Sequence, residues 1–446
     1  MPGNAPNAPR RARIGVRWKI FVFMFAFGAF AYVQQKGIAV AALRMMPDLG
    51  ITQQQIGWLQ TAFIAGYAVM QFPGGLLGQR FRPRLVFTVL GFGACAAALV
   101  VPLAPLLLAG APLFTTLLLG RAMLGALQAP VFPLTNGIFE VWFPPRQWPL
   151  VQGLASMCLG IGLAIVAPLV AGLMESFGWR LALVCTNLPM LVLTVLWVWY
   201  GRNTPAEHPA MTPQEQAEIG SYASDNPPQP FSWPRVWQLF KNRDVLVLTA
   251  SYVCVNYVFY FIADWVFLYL VQERHVTALE GGWLAATPAL VGSVGAGIGG
   301  YLATALGTRL GVRRGLRLIP LVCLPACAAL LLLAVTAHHA YLAVAALSLC
   351  FACEQVNEGP YWAAVMHCAP ADTMAAGGLL NMGGNAGGLI AAPITAYFSG
   401  QGTWTPPFLI GTALALAAAA GWLYVNPERH AVRAAAPEHN AVAATP

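Results

Sequence analysis

Long apolar runs alternate with short polar segments along almost the whole chain. A helix needs about 20 mostly apolar residues to cross the hydrocarbon core of a bilayer. Glycine and proline are frequent inside these runs, which is unusual in soluble helices but tolerated in membrane helices. The pattern therefore predicts an all-α membrane protein with twelve transmembrane helices. The predicted spans, numbered 1 to 12, cover residues 18–42, 54–78, 85–108, 112–140, 151–174, 181–200, 245–271, 281–307, 316–336, 340–366, 374–399 and 405–425.

One long polar stretch, residues 201–244, separates span 6 from span 7 and is rich in proline and charged residues. We interpret it as a linker between two six-helix halves, which cover residues 18–200 and 245–425. The ends are predicted to be an N-terminal tail over residues 1–17 and a C-terminal tail over residues 426–446. Because the number of spans is even, the two tails are expected on the same side of the membrane as the linker.

The two predicted halves share a sequence feature at matching positions. Gly74-Gly75 ends span 2 and runs into basic residues, and Gly299-Gly300 ends span 8 and does the same. Spans 2 and 8 are each the second span of their half. This correspondence favours a duplicated six-span unit, which is a common plan among secondary transporters.

Composition excludes a soluble globule. Charged residues make up 9% of the chain and hydrophobic residues 58%, whereas a soluble domain carries roughly 25% charged residues. The net charge of +8 does not indicate nucleic-acid binding, because 19 of the 24 Lys and Arg residues fall in the tails, the linker and the loops on the same side. This positive-inside pattern predicts cytoplasmic termini. We expect a monomer that spans the inner membrane several times, in contact with the lipid bilayer and with no nucleic-acid partner.

The nine cysteines lie within or at the ends of predicted spans and show no paired spacing. We interpret them as small apolar residues rather than as a disulfide framework or a metal site. The sequence also lacks a P-loop, a His-Glu-x-x-His run, a paired-aspartate protease motif and a Ser/His nucleophile arrangement. It therefore predicts a protein that is not an enzyme, uses no cofactor and holds no metal.

Several motifs occur together and in order along the predicted spans. They are Tyr67, Gln71 and Pro73-Gly74-Gly75 in span 2, Arg121-Ala122-Met123-Leu124-Gly125, Ala129-Pro130 and Trp142-Phe143-Pro144 in span 4, Gly178-Trp179-Arg180 before span 6, Asn256-Tyr257 in span 7, Trp362-Ala363 in span 10 and Gly384-Asn385 in span 11. Through these residues the chain resembles the anion:cation symporter branch of the major facilitator superfamily. That branch includes bacterial sugar-acid transporters, sialin and the vesicular glutamate transporters.

The resemblance covers most of residues 18–425 and implies a major facilitator fold, with twelve helices in two six-helix pseudo-repeats. It also implies alternating access and a small organic anion as substrate, carried with a proton or a sodium ion. A carboxylate such as a sugar acid or an aromatic acid is the expected substrate class. The resemblance does not identify the individual substrate.

The chain departs from this family in one consistent way. Amides stand at four positions that usually hold an acid in the family, namely Gln34, Gln79, Gln128 and Gln147. A buried carboxylate can take up and release a proton, whereas an amide cannot titrate. An alignment shifted by one residue would place Gln35-Lys36 over the family's Asp-Arg pair, which restores the cation but not the acid. Proton coupling, if present, therefore requires another acid.

Five charged residues lie inside the predicted spans away from the span ends, and they are functional candidates because a charge in the bilayer is costly. Arg121 is the candidate anchor for a carboxylate, since its guanidinium forms a bidentate fork; the alternative is a structural bond to helix carbonyls. Lys36 is a second candidate cation or a residue that reaches toward the outer face. Glu354, Glu358 and Asp264 are candidates for proton coupling or gating, or for a salt bridge between the halves.

Helical spacing extends this set, since residues four apart share one face of a helix. Tyr32 and Lys36 share a face, as do Asn256, Tyr260 and Asp264. Glu354, Glu358 and Trp362 form a third stripe by the same spacing, unless a kink at Gly359-Pro360 interrupts it. The expected substrate-binding residues are Arg121, Lys36, Tyr32, Gln34, Gln35, Tyr67, Gln128, Asn256, Tyr260, Trp362, Asn381 and Asn385.

Three transport mechanisms remain open from the sequence. The first is proton symport through Glu354, Glu358 or Asp264. The second is uniport or exchange of an anion without a proton. The third is transport of a zwitterion, with its carboxylate on Arg121 and its cationic group near the C-half acids. A membrane sensor built on a transporter fold is a further alternative, which would bind a ligand without accumulating it.

Overall fold

The computed structural model describes residues 15–220, 232–370 and 372–429, and all regular secondary structure in these residues is helical. The helices are α1 (Val16–Leu49), α2 (Gln53–Phe81), α3 (Pro83–Leu103), α4 (Gly110–Gln128), α5 (Val131–Trp142), α6 (Trp148–Tyr200), α7 (Pro213–Ile219), α8 (Trp233–Leu239), α9 (Arg243–Gln272), α10 (Ala278–Leu310), α11 (Val312–Thr336), α12 (Ala340–Gln355), α13 (Glu358–Cys368), α14 (Thr373–Gly400) and α15 (Thr405–Trp422).

The twelve predicted spans are confirmed as helical, although four of them are not single separate helices. Spans 5 and 6 run together in α6, where Gly178 interrupts the helix with a φ of 76°, a value that glycine adopts readily. Span 4 is divided into α4 and α5, and span 10 into α12 and α13. Nine segments of the described chain are individually long and apolar enough to cross a membrane, and one of these holds both spans of α6.

The helices α2 and α14 are not among those nine segments. Both pack between the halves: α2 contacts α14 along one boundary, and α6 contacts α10 along the other. The N-terminal half consists of α1 to α6 and the C-terminal half of α9 to α15, with α7 and α8 in the linker. Helices at a boundary between two halves need less apolar surface than helices that face lipid on most sides.

The outward-facing sides of the bundle carry large apolar side chains. Val69, Leu119 and Val322 are each about 60–70% exposed. A contiguous apolar surface of this kind is unfavourable in water, because soluble monomers expose only limited apolar patches. The hydrocarbon core of a bilayer is therefore the solvent that fits these helices.

At the end of the bundle that carries the linker, called the linker face below, the two halves touch through bare backbone. A Cβ atom added at Gly75 would lie 2.3 Å from the carbonyl oxygen of Met374, and one at Gly153 would lie 2.5 Å from that of Ala296. No larger residue fits at either position without separating the helices. The linker face is therefore closed.

The linker contributes side chains to this closed face. Glu215 in α7 accepts hydrogen bonds from the backbone nitrogens of Val16 at 3.0 Å and Arg17 at 2.9 Å, and so satisfies the free N–H groups at the start of α1. Arg235 in α8 forms a salt bridge with Asp372 at 3.0 Å. Burial raises the pKa of Asp372, although the neighbouring guanidinium opposes this change.

Candidate functional site

A cavity of about 360 Å³ lies between the two halves. We place its mouth at the end opposite the linker face, because backbone contacts close the linker face and the wall extends along α2 and α9 to Gln60 and Asp264. The lining residues that spacing and resemblance predict are Tyr32, Gln35, Lys36, Tyr67, Asn256, Tyr260, Asp264, Glu358, Trp362, Asn381 and Asn385. Four predicted residues are not on the wall, namely Gln34, Arg121, Gln128 and Glu354.

The sequence prediction missed several lining residues. Tyr252 precedes Asn256 by four positions, so it continues the predicted stripe of α9 by one turn, and the spacing could have identified it. Ser156, Phe132 and Gln60 carry no charge and stand outside the predicted stripes, so only the packing of the helices reveals them.

Glu358 lies on the cavity wall at the start of α13 and is held by two donors. The Tyr252 hydroxyl donates to its carboxylate at 3.0 and 3.1 Å, and the Trp362 indole nitrogen donates to Oε2 at 3.0 Å. Because a tyrosine hydroxyl both donates and accepts, it can also accept a hydrogen bond from a protonated Glu358. This carboxyl group can therefore change its protonation state without losing its hydrogen-bond partners.

Glu354 lies on α12, away from the cavity, and is 1% exposed. Its Oε2 accepts a hydrogen bond from Gln355 at 2.8 Å, whereas its Oε1 finds no partner among the described residues. The spacing of four predicted one face for Glu354, Glu358 and Trp362. Only Glu358 and Trp362 share a face, because the helix breaks between α12 and α13.

The cause of this break is Pro360. A continuous helix would need the nitrogen of residue 360 to donate to the carbonyl of Val356, and proline has no N–H group to do so. That carbonyl instead faces Gly299, where a Cβ atom would lie only 1.9 Å away. The turn at residues 356 and 357 therefore separates the two glutamates into different environments.

Arg121 is buried beside the cavity and bonded to backbone. Its Nη2 donates to the carbonyl of Gln35 at 3.1 Å, and its Nε to that of Leu59 at 3.4 Å. The guanidinium also lies over the Phe63 ring, 4.8 Å from the centroid, a cation–π contact. These contacts join α4 to α1 and α2, which is the structural role that the sequence left open for this residue.

Lys36 and Asp264 face the cavity from opposite halves. Among the described residues they form no salt bridge within 4.0 Å with each other or with any other group. The two charges attract each other across the cavity without direct contact, so each can still pair with a molecule that enters the cavity. Lys36 is the only lysine or arginine among the described residues on the wall.

Two amides at positions that the family usually fills with acids form one buried network. Gln128 Nε2 donates to Gln34 Oε1 at 2.8 Å, and Gln34 Nε2 donates to the side-chain oxygen of Asn187. Asn187 in turn donates to the carbonyl of Cys95 at 2.9 Å. We call Gln34, Gln128 and Asn187 the amide chain. It links α1, α3, α4 and α6 through neutral groups.

The C-terminal half lines the opposite wall with neutral polar groups. The Tyr260 hydroxyl donates to Asn385 Oδ1 at 2.9 Å, and Asn385 Nδ2 donates to the carbonyl of Asn381 at 2.8 Å. The Asn381 side chain also interacts with the Tyr67 hydroxyl of the other half, and its N–H groups can donate to a bound molecule as well.

A side pocket of about 60 Å³ adjoins the cavity and shares Leu159, Phe259 and Gln355 with it. The rest of its wall is mostly apolar and includes Ile262 and Phe351. Within the described residues there is no cluster of three or more His, Cys, Asp or Glu side chains that could hold a metal ion. The arrangement suits reversible binding of a small polar molecule with one apolar part.

Comparison with known proteins gives one family and a consistent set of relatives. The family model described as Major Facilitator Superfamily matches residues 20–377. A probable galactarate/D-glucarate transporter of Bacillus subtilis is 26% identical, covering 96% of each chain. A probable sulfoacetate transporter of Cupriavidus necator is 27% identical, covering 94% of this chain and 95% of the relative.

Solved structures with the same fold are more distant in sequence. The crystal structure of the E. coli fucose:proton symporter aligns with a TM-score of 0.69 at 16% identity, covering 92% of this chain and 99% of that chain. The structure of a proton:xylose symporter aligns with a TM-score of 0.70 at 11% identity, covering 92% and 96%. At these identities the likeness concerns the fold, and it confirms the predicted major facilitator architecture.

Proposed function

The chain belongs to the Major Facilitator Superfamily, and from this premise we propose that it is a secondary active transporter of a small organic anion. It is a multi-pass membrane protein of a transporter family and not an enzyme. The observation that carries the proposal is the cavity between the halves, which presents the unpaired cation Lys36 to an entering molecule.

The names of the relatives support an anionic substrate. They include transporters of galactarate/D-glucarate, sulfoacetate and hexuronate, and a D-galactonate transporter of E. coli. Each of these compounds carries at least one carboxylate or sulfonate group. An anionic group withdrawn from water needs a cation, which Lys36 provides, and the amides of the wall add hydrogen-bond donors.

We infer that Lys36, rather than Arg121, anchors the anionic group in this conformation. Lys36 faces the cavity without an ion-pair partner, whereas Arg121 is 2% exposed and bonded to two carbonyls. Arg121 holds α1, α2 and α4 together around the site. It remains the second candidate anchor for a state in which these helices have moved.

The closed linker face and the mouth at the opposite end support alternating access. In transporters built from two repeats, the halves rock around a central site, so that the cavity opens first to one side and then to the other. The boundaries between α2 and α14 and between α6 and α10 are the surfaces on which the halves would move. Asp264 near the mouth is a candidate gating residue.

Glu358 is the candidate proton carrier. It faces the cavity, and the groups around it are Tyr252 of α9, Trp362 of its own helix, Ser156 of α6 and Tyr32 of α1. No basic side chain contacts it among the described residues. A carboxyl group that opens to water only in some states can carry a proton across the bilayer.

The orientation follows from the distribution of basic residues. We propose that the linker and both tails lie in the cytoplasm, that the cavity described above opens to the outside, and that the protein resides in the inner membrane as a monomer. Fusion of a reporter active only in the cytoplasm to each end tests the orientation. Activity at neither end would contradict it.

The transport proposal is tested with the purified protein in liposomes that contain a pH-sensitive dye. Uptake of sugar acids and aromatic acids is measured together with internal pH. Proton symport predicts uptake with internal acidification. Uptake without a pH change would leave uniport, exchange or sodium coupling. Absence of uptake for every organic anion, at an inside-positive and an inside-negative potential, would contradict the proposal.

A zwitterion is the second candidate substrate. One observation favours it: Lys36 and the acids Asp264 and Glu358 place opposite charges in the same cavity. A zwitterion could place its carboxylate on the lysine and its ammonium group on an acid. Accumulation of an amino acid, with no uptake of its deaminated analogue, would support this alternative over the anion.

A further inference from the structure

The charges on the cavity wall are unequal in number. Lys36 is the only basic side chain on the described wall, whereas Asp264 and Glu358 are both acids. Arg121, the other cation inside the spans of the N-terminal half, donates to the carbonyls of Gln35 and Leu59 and is not on the cavity wall. The site therefore offers one counterion to an anion.

From this inequality we propose that the transported anion carries a single acidic group, and that compounds with two acidic groups are rejected. The inference rests on the proposed function as an organic-anion transporter. One carboxylate can pair with Lys36. A second would be withdrawn from water without a cation, in a cavity that already holds two acids, and an unpaired buried charge is strongly unfavourable.

The remainder of the wall fits a neutral body. Gln35, Gln60, Asn256 and Gln355 offer neutral donors and acceptors, and Tyr67 and Trp362 offer aromatic faces. Such groups bind hydroxyls, amides or rings and do not compensate a full negative charge as a lysine or arginine would. The part of the substrate opposite its acidic group is thus expected to be uncharged.

This inference divides the substrates named for the relatives. Galactarate, D-glucarate and sulfoacetate carry two acidic groups, whereas D-galactonate and the hexuronates carry one. The chain is similar to transporters of both kinds at 25–27% identity. Overall sequence similarity therefore does not distinguish substrates with one acidic group from substrates with two. The charges on the cavity wall favour substrates with one.

The test measures uptake into liposomes for pairs of compounds that differ only in the second acidic group. Suitable pairs are galactonate and galactarate, succinamate and succinate, and 4-carbamoylbenzoate and terephthalate. In every pair that is transported, we expect the monoanion to enter at least about tenfold faster. A dianion that enters as fast as its partner overturns the inference and leaves organic-anion transport intact. Failure of both members of every pair contradicts the proposed function itself.

A second cation on the wall should relax this selectivity. We expect Gln60→Lys to increase uptake of the dianion relative to its monoanionic partner by at least about tenfold. Gln54→Lys is the matched control, because it adds the same charge to the same helix but not to the cavity. An unchanged ratio in Gln60→Lys, with the monoanion still transported, would mean that lack of a counterion is not what excludes the dianion.

Discussion

Between its helices, the N-terminal half buries a chain of amides, whereas the C-terminal half buries a carboxylate that faces the cavity. The amide chain of Gln34, Gln128 and Asn187 is satisfied by its own members and by a backbone carbonyl. Glu358 is satisfied by Tyr252 and Trp362. Both networks are buried and hydrogen-bonded, but only the second contains a group that can gain or lose a proton.

This contrast limits which of the two networks could carry a proton. The amide chain has no titratable member, so it can hold helices together but cannot carry a proton. Glu358 lies on the cavity wall and can keep its tyrosine partner in either protonation state. If the protein couples transport to protons as proposed, the polar network of the C-terminal half is the one that can carry the proton, and the network of the N-terminal half is structural.

We expect the largest effect from a substitution that disrupts the second network. Glu358→Gln should abolish substrate-driven acidification of liposomes, because the amide keeps the shape of the side chain but cannot bind and release a proton. Exchange of substrate between the two sides should persist. Glu354→Gln is the matched control, since the same chemical change falls outside the cavity, and acidification should remain. Acidification that survives Glu358→Gln and disappears in Glu354→Gln would place coupling on α12 instead.

The next effect compares Lys36 and Arg121, the two cations that lie deep in the spans of the N-terminal half. Lys36→Met should lower the ratio kcat/KM for uptake by about 30-fold or more, because truncation of one member of a buried charge pair costs about 2–5 kcal/mol. Lys36→Arg should retain most of the uptake. The measurement is initial uptake rate against substrate concentration.

Arg121→Met serves as the counterpart of that variant. It should lower the thermal stability of the detergent-solubilised protein, because it leaves two buried carbonyls and the Phe63 ring without their partner. Full stability of Arg121→Met with complete loss of uptake, combined with normal uptake by Lys36→Met, would return the anchor role to Arg121.

A smaller effect is expected from the amide chain itself. Gln128→Leu removes the donor to Gln34 and leaves a buried oxygen unsatisfied, which costs about 1–3 kcal/mol of the free energy of unfolding. The number of protons that enter per substrate should not change. Thermal unfolding in detergent and internal pH in liposomes measure the two quantities. A changed proton ratio would show that the amide chain takes part in coupling.

The smallest effect concerns the linker, which lies outside both networks. His208 packs on Tyr200 with ring centroids 4.6 Å apart, and burial lowers the pKa of its imidazole. As pH falls below about 6.5, the unfolded chain gains a proton that the folded chain binds more weakly, so stability falls. His208→Gln should reduce this loss between pH 7.5 and pH 5.5 in thermal unfolding. The pH profile of uptake should stay unchanged, and a shifted profile would implicate the linker in coupling.

The positions of the spans could be predicted from the sequence because the length of an apolar run is set by the thickness of the bilayer. The cavity stripes of α1 and α9 could be predicted because both helices are continuous there, so a spacing of four keeps one face. The same rule was wrong for Glu354, since Pro360 breaks the helix between α12 and α13. Gly359-Pro360 marks the possible kink in the sequence, but the direction in which Glu354 then faces depends on how the neighbouring helices pack.

The partners of the buried polar groups could not be predicted. Arg121 bonds to carbonyls of α1 and α2, and every residue of the chain offers a carbonyl, so no sequence signal marks the two that are used. The amides at positions 34 and 128 were recognised as departures from the family. Their direct hydrogen bond depends on how α1 packs against α4, which the sequence does not specify.

The glycine contacts of the linker face have a mechanical consequence. At Gly75 and Gly153 the two halves meet backbone to backbone, with no layer of side chains between them. Side chains can change rotamer and so act as a compliant layer, whereas peptide backbone hardly yields. The linker face therefore behaves as a hard stop rather than as a spring. The halves cannot come closer together at these two positions, whatever molecule occupies the cavity.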